Sequence, residues 1–238
     1  MQTDVIMKHF FTAAACFLSI ISFAQKTIDV DKTTGVPQSS FYSVGGEPFV
    51  NVKFVRLTSG TPYFNDEWMK GTGVSGTGIV YKAGVLKLDL FDNQVHFLDA
   101  GGNDMIATSP LKELILTDTL SGKSYHFVHS SLFASPTIKQ GWYLVLAAGT
   151  IGLYQYFSKM ISETKPYGSA TTEQHIITKD EYYVYHKAVL QQIKKLKDLP
   201  AILTGHKKEL EEFLNKNSKN GSLAEQLTAA VNFLNNLE

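Results

Sequence analysis

Val85-Leu86-Lys87-Leu88-Asp89-Leu90-Phe91-Asp92-Asn93-Gln94-Val95-His96-Phe97-Leu98-Asp99 is the stretch on which the fold turns. Leu86, Leu88 and Leu90 alternate with Lys87 and Asp89, the period-two signature of a strand with one face in an apolar core and the other toward water. Asp92-Asn93 is a turn pair, and Gln94–Asp99 reads as the returning strand. Working outward, the same grammar repeats. Ala100-Gly101-Gly102-Asn103 turns into Asp104–Thr108, and Ser121-Gly122-Lys123 separates Leu114–Thr117 from Tyr125–His129. Upstream, Val50–Leu57 and Gly76–Tyr81 read as strands, with Ser59-Gly60-Thr61-Pro62 as a turn. Downstream, Trp142–Ala147 turns at Gly149 into Ile151–Ile161, and Tyr182–His186 follows the loop Lys165-Pro166-Tyr167-Gly168. Short strands joined by tight turns predict an antiparallel meander, because parallel neighbours need long crossovers.

The pattern changes after about residue 190. Leu196, Leu199, Ile202 and Leu203 recur at helical spacing, as do Leu210, Phe213 and Leu214. After the break at Asn217–Gly221, Ser222 and Glu225 form a capping-box pair, and Leu223, Leu227, Ala230, Val231 and Leu234 form an apolar stripe. Helices this short are marginal alone, so the stripe is expected to dock on the sheet. The predicted class is α+β: an antiparallel β meander over about 48–186, in a β-rich domain spanning 48–190, with short C-terminal helices over 191–238 packed on it.

Before that domain, residues 1–24 read as a signal peptide and 25–47 as a polar leader. Lys8 and His9 precede an apolar run from Phe10 to Phe23, and Ser22-Phe23-Ala24 presents small residues to a signal peptidase, placing cleavage before Gln25. Ala13-Ala14-Ala15-Cys16 loosely resembles a lipoprotein cleavage box. An apolar stretch rather than a polar tether follows Cys16, so ordinary cleavage is the expectation and lipidation the alternative. Cleavage removes the only cysteine and with it any disulfide or thiol chemistry. Lys+Arg and Asp+Glu number 22 each, and Arg56 is the sole arginine. That balance argues against nucleic acid as a partner, since guanidinium forks are the usual phosphate grip. No transmembrane segment is expected in the mature chain.

Candidate chemistry is sparse. Gly71-Thr72-Gly73-Val74-Ser75-Gly76 matches the dinucleotide fingerprint in letters, but the β-prone residues after it reject the required helix, and a glycine-rich strand is expected instead. His126 and His129, three apart on a strand, point to opposite faces and cannot share a metal; His96 lies on another strand. The adjacent Asp66-Glu67 beside Trp68 cannot oppose one another across a glycosidase cleft. Asp89, Asp92, Asp99 and Asp104 fit turns better than a calcium loop. No Gly-x-Ser-x-Gly elbow occurs. No cofactor and no metal are therefore expected. The tyrosines are the remaining candidates: Tyr182, Tyr183 and Tyr185 on one strand and Tyr154 and Tyr156 on the preceding one could form a stacking platform for a ligand, or could fill the sheet–helix core.

Phe64-Asn65-Asp66-Glu67-Trp68, Leu86-Lys87-Leu88-Asp89-Leu90 and Tyr182-Tyr183-Val184 followed by lysine-rich helices resemble a diffuse family of uncharacterised secreted, β-rich envelope proteins of Gram-negative bacteria. The resemblance carries no diagnostic motif and no site residue. It implies a periplasmic, outer-membrane-associated or extracellular location. The leading expectation is a non-enzymatic envelope protein that binds a partner, a glycan or an apolar ligand. The alternatives are an extracellular polymer hydrolase and a lipid carrier in which a bent sheet wears a helical lid. A deep apolar pocket lined by the strands would favour the carrier, a polar cleft with two opposed carboxylates the hydrolase, and a solid core with an exposed aromatic strip the binding module.

Overall fold

The computed structural model describes residues 29–30, 37–40, 46–48, 57–134, 138–165, 167–168, 172–217 and 221–237. The expected signal peptide, its expected cleavage site and most of the predicted strand Val50–Leu57 lie outside the described residues. Four short strands come first: β1 (Asp29–Val30), β2 (Pro37–Ser40), β3 (Gly46–Pro48) and β4 (Leu57–Ser59). Ten more follow: β5 (Met69–Ser75), β6 (Val80–Asp89), β7 (Gln94–Leu98), β8 (Asp104–Ala107), β9 (Leu111–Thr117), β10 (Ser124–His129), β11 (Trp142–Ala147), β12 (Gly152–Thr164), β13 (Glu173–His186) and β14 (Val189–Ile193). They form one sheet in the order β14-β13-β12-β11-β10-β9-β5-β6-β7-β8-β3. The α+β reading holds: a sheet, then short helices.

The sheet departs from a pure antiparallel meander in its order, where β9 lies beside β5 and not β8, and in two parallel pairings. β2 pairs with β6 and β4 with β13 in parallel, so the sheet is mixed. Within the stretch expected to be only a polar leader, β1, β2 and most of β3 instead add short strands, and β3 lies antiparallel to β8. Both parallel pairs join segments far apart in the chain, which no turn signal could announce.

One connection dictates the sheet's shape. β9 and β8 are separated by β5, β6 and β7, so four strand spacings would set them about 19 Å apart in a flat sheet. Yet Ala107 and Leu111 are only four Cα steps apart, a reach of at most about 14 Å. The sheet must therefore curl until β8 returns toward β9. Inside the curl, Leu86, Leu88, Leu114, Leu116 and Phe127 are fully buried, joined by Val95, Phe97 and Trp142. Phe64 plugs the core edge-on to Tyr125, Phe127 and Phe157. Gly71 in β5 lets Leu86 and Leu116 close over it, because a Cβ there would run into both side chains. The glycine-rich segment is thus a strand, with the bulge between Met69 and Gly71 that such a segment favours.

At the other end, β13 turns into β14 through Lys187 and Ala188, both at positive φ (50° and 63°). Such a primed turn normally calls for Asn-Gly, so Lys-Ala gives no hairpin signal, and β14 runs across the expected boundary at 190 between β domain and helical segment. The α-helices among the described residues are α1 (Leu199–Ile202), α2 (Lys207–Asn217) and α3 (Leu223–Asn235). Ser222 and Glu225 form the expected capping box at the start of α3. Leu227, Ala230, Val231 and Leu234 are fully buried with Leu153, Tyr182, Val184 and Ile193 of the sheet. Asn235 pins the far end of α3: its amide accepts from the Ile151 N–H and donates to the Ile151 carbonyl, both at 2.9 Å. No helix among the described residues is long and apolar enough to cross a membrane.

Candidate functional site

The period of two divides the predicted tyrosine platform. Tyr182 points with Val184 into the sheet–helix core, while Tyr183 and Tyr185 face the opposite side with Tyr154 and Tyr156. Register brings these four together, Tyr154 lying opposite Tyr183, and adds Tyr143, which sequence reasoning missed. The group is not an open platform. Residues 130–134 and 138–141 pack across it, and Phe133 sits 5.1 Å from Tyr154, 5.5 Å from Tyr143 and 5.8 Å from Tyr185. The Tyr143 and Tyr156 hydroxyls donate to the carbonyls of Lys139 and Gln140, tying that segment down. These rings mostly fill a second small core.

Glu181 anchors the same face. Its buried carboxylate accepts from Lys139 Nζ at 2.7 Å, from the Tyr183 hydroxyl at 3.1 Å and from Gln192 Nε2 at 3.2 Å. Burial pushes its pKa up, but the hydrogen bonds from Lys139 and Tyr183 and the charges of Lys139 and Lys179 outweigh this and hold it below the ordinary value of 4.5. The Tyr183 hydroxyl moves up, through burial and its bond to Glu181. A carboxyl depressed in the fold stabilises fully above its unfolded pKa and loses that contribution as pH falls through the folded one. Glu181→Gln is therefore expected to cost about 1–2 kcal/mol at neutral pH, discounted because Lys139 is half exposed. The gap between wild type and variant should close as pH is lowered from about 6 to about 3; a gap constant across that range in paired urea titrations would remove Glu181 as an anchor.

The other candidates resolve into structure. Asp99 accepts from the Gly101 and Asn103 amides, and Asp89 from Phe91 and Asp92, as turn formers do. Asp104 instead pairs with the buried His96 at 2.9 Å. His126 reaches Glu113 at 3.3 Å, and Asp66 accepts from Thr61. Among the described residues no group of three or more His, Asp, Glu or Cys side chains is placed to hold a metal.

A concave site does form where the curled sheet meets itself. It has a volume of about 350 Å³ and lies between Gln94 and Val95 of β7, Ile106 of β8, the Thr108–Pro110 link, and His129 and Trp142. The curl that brings β8 back toward β9 creates it, which is why no local motif announces it. Trp142 Nε1 donates to the Asn93 carbonyl at 3.4 Å, fastening β11 to the β6–β7 turn. Gly141 is required there, because its φ of +130° and the Asn93 amide against it exclude a side chain. His129 lies edge-on to Trp142 at 5.3 Å, and burial pushes its pKa down. Its Nδ1 accepts from the Ser131 amide at 3.3 Å and lies 3.0 Å from the Ser131 hydroxyl. With Nδ1 occupied as a helix cap, the imidazole proton sits on Nε2, and the Ser131–His129 contact reads as local capping rather than an activated nucleophile. No Asp, Glu, Lys or Arg lines the cleft. It offers hydroxyls, amides, the His129 imidazole and an indole-backed apolar wall, with no pair of carboxylates for acid–base hydrolysis.

No protein-family model, curated protein or solved structure matches this chain.

Proposed function

We propose that this chain is an exported, non-enzymatic binding protein of the bacterial envelope, and that the cleft beside Trp142 holds a small neutral ligand rich in hydroxyl or amide groups, such as the end of a glycan. The observation that carries this reading is the uncharged lining of a cavity within the usual size range for small-ligand sites, at the mouth of a curled sheet. A charged ligand would have to shed water there with no counter-charge to receive it, whereas a neutral polyol can exchange water for side-chain hydrogen bonds. The filled core of the curl favours a binding module over a carrier that encloses lipid. Export follows from the Lys8–Ala24 signal pattern.

Titration with neutral N-acetylhexosamine oligosaccharides and their uronate counterparts, read by calorimetry and tryptophan fluorescence, tests the proposal. Neutral oligosaccharides are expected to saturate the protein, and Ser109→Trp, which fills the cleft, should weaken them by about tenfold or more. Preference for the uronates, or indifference to Ser109→Trp, would overturn it.

A further inference from the structure

The C-terminal helices do more than cover the sheet. Between the turn at 195–198, α1 and the outer stripe of α2 lies an open groove of about 900 Å³. Lys207, Glu211, Leu214 and Asn215 line it from α2, spaced four, three and one residues apart, so one helical stripe forms its wall. Its apolar surface comes from the half-buried Leu196 and Leu214 and the exposed Ala201, with the buried Pro200 beneath. Its cationic surface comes from Lys195, Lys197 and Lys207, all exposed, against a single carboxylate, Glu211. Glu211 lies 3.9 Å from Lys207. Among the described residues neither Lys195 nor Lys197 forms a salt bridge.

We infer that this groove is a second ligand site, distinct from the Trp142 cleft, and that it takes a long-chain anionic amphiphile of the fatty-acid class. The chemistry is complementary on both counts. An acyl chain covers Ala201 and the exposed parts of Leu196 and Leu214 and removes them from water, a gain proportional to the area covered. The carboxylate lies among the ammonium groups of Lys195, Lys197 and Lys207, the first two of which form no salt bridge among the described residues. The volume suits a small molecule, and a concave groove of this kind differs from the extended patch that a protein partner needs. A neutral amphiphile would leave the lysines without a counter-charge, and a short anion would leave the apolar strip wet.

The test is calorimetric titration of the signal-free chain with hexadecanoate below its micelle concentration, beside hexadecanol and acetate. Saturable one-to-one binding of hexadecanoate is expected, with both controls weaker by about tenfold or more. The combined variant Lys195→Gln, Lys197→Gln, Lys207→Gln should weaken hexadecanoate by a similar factor. Because all three lysines are exposed, its thermal unfolding should match wild type. Ser109→Trp, which fills the other cleft, should leave hexadecanoate binding unchanged, so loss of one site is distinguishable from loss of the other. Unsaturable uptake, equal binding of hexadecanol, retention in the lysine variant or loss in Ser109→Trp would each overturn the assignment.

Discussion

Leu227→Asp is expected to unfold the whole chain in one lowered transition rather than merely loosen its C-terminus. Leu227 is fully buried, with Ala230, Val231 and Leu234 of α3 around it and Leu153, Val184 and Ile193 of the sheet beneath. Losing its burial removes about 1.5–3 kcal/mol. The new carboxylate would have to be buried among apolar groups or force α3 off the sheet, which raises the total to about 4 kcal/mol or more. That is a large share of a typical stability of about 5–15 kcal/mol. The loss cannot stay local, because β12 and β13 carry the α3 interface on one face and the Tyr154–Tyr183 cluster on the other. Thermal unfolding followed by a β-sheet circular-dichroism signal checks it. A β signal that melts at the wild-type temperature in the variant would show that the helices are an independent appendage.

Phe127→Ala is the second large effect, and it interrogates the curled end. Phe127 is fully buried at the centre of that core, 4.9 Å from the Phe64 ring and between strands that contribute Leu114 and Leu144. Truncating a fully enclosed phenylalanine to alanine leaves a cavity and costs about 3–5 kcal/mol where neighbours cannot collapse into it. Leu86, Leu114 and Leu116 are each held by strand pairing on both sides, so little collapse is expected. The denaturant midpoint should fall while the slope of the transition stays unchanged. A cost below about 1 kcal/mol would mean that the core is loosely filled, and would revive the carrier in which the curled sheet encloses an apolar ligand.

The single continuous sheet makes a further demand on both variants. β10 and β11 carry the curled core, and β11 is hydrogen-bonded to β12, which carries the helices. Each variant should therefore lower one shared transition. The two sites contribute to different apolar clusters, so their effects should be close to additive.

Much of this architecture was legible locally. The alternation over Leu86–Leu90 and the turn at Asp92-Asn93 specify a hairpin because period two and turn chemistry act within a few residues. The Ser222–Glu225 capping box and the Leu223–Leu234 stripe specify α3 for the same reason. Period two even separates Tyr182 from Tyr183 and Tyr185. What lies above each face is not local: α3 covers one, and Phe133 and Ile138 cover the other. β14 was hidden because Lys187-Ala188 adopts positive φ without the glycine or asparagine that normally signals it. The parallel pairings of β2 and β4 join residues far apart in the chain, whose affinity is a matter of exposed sheet edges rather than of motif. The Trp142 cleft depends most on tertiary structure. Asn93 and Trp142 meet only because the short link from Ala107 to Leu111 forces the sheet to curl. The sequence by itself determined most of the central strands and their turns, the final helix and the absence of charge at the residues that became the cleft, since those are properties of single residues and near neighbours. It did not show β14, the short strands before β4, or that residues 76–79 link β5 to β6 instead of starting a strand. Only the tertiary structure decided which of those residues share a wall, because closure of the sheet is a constraint on the whole chain.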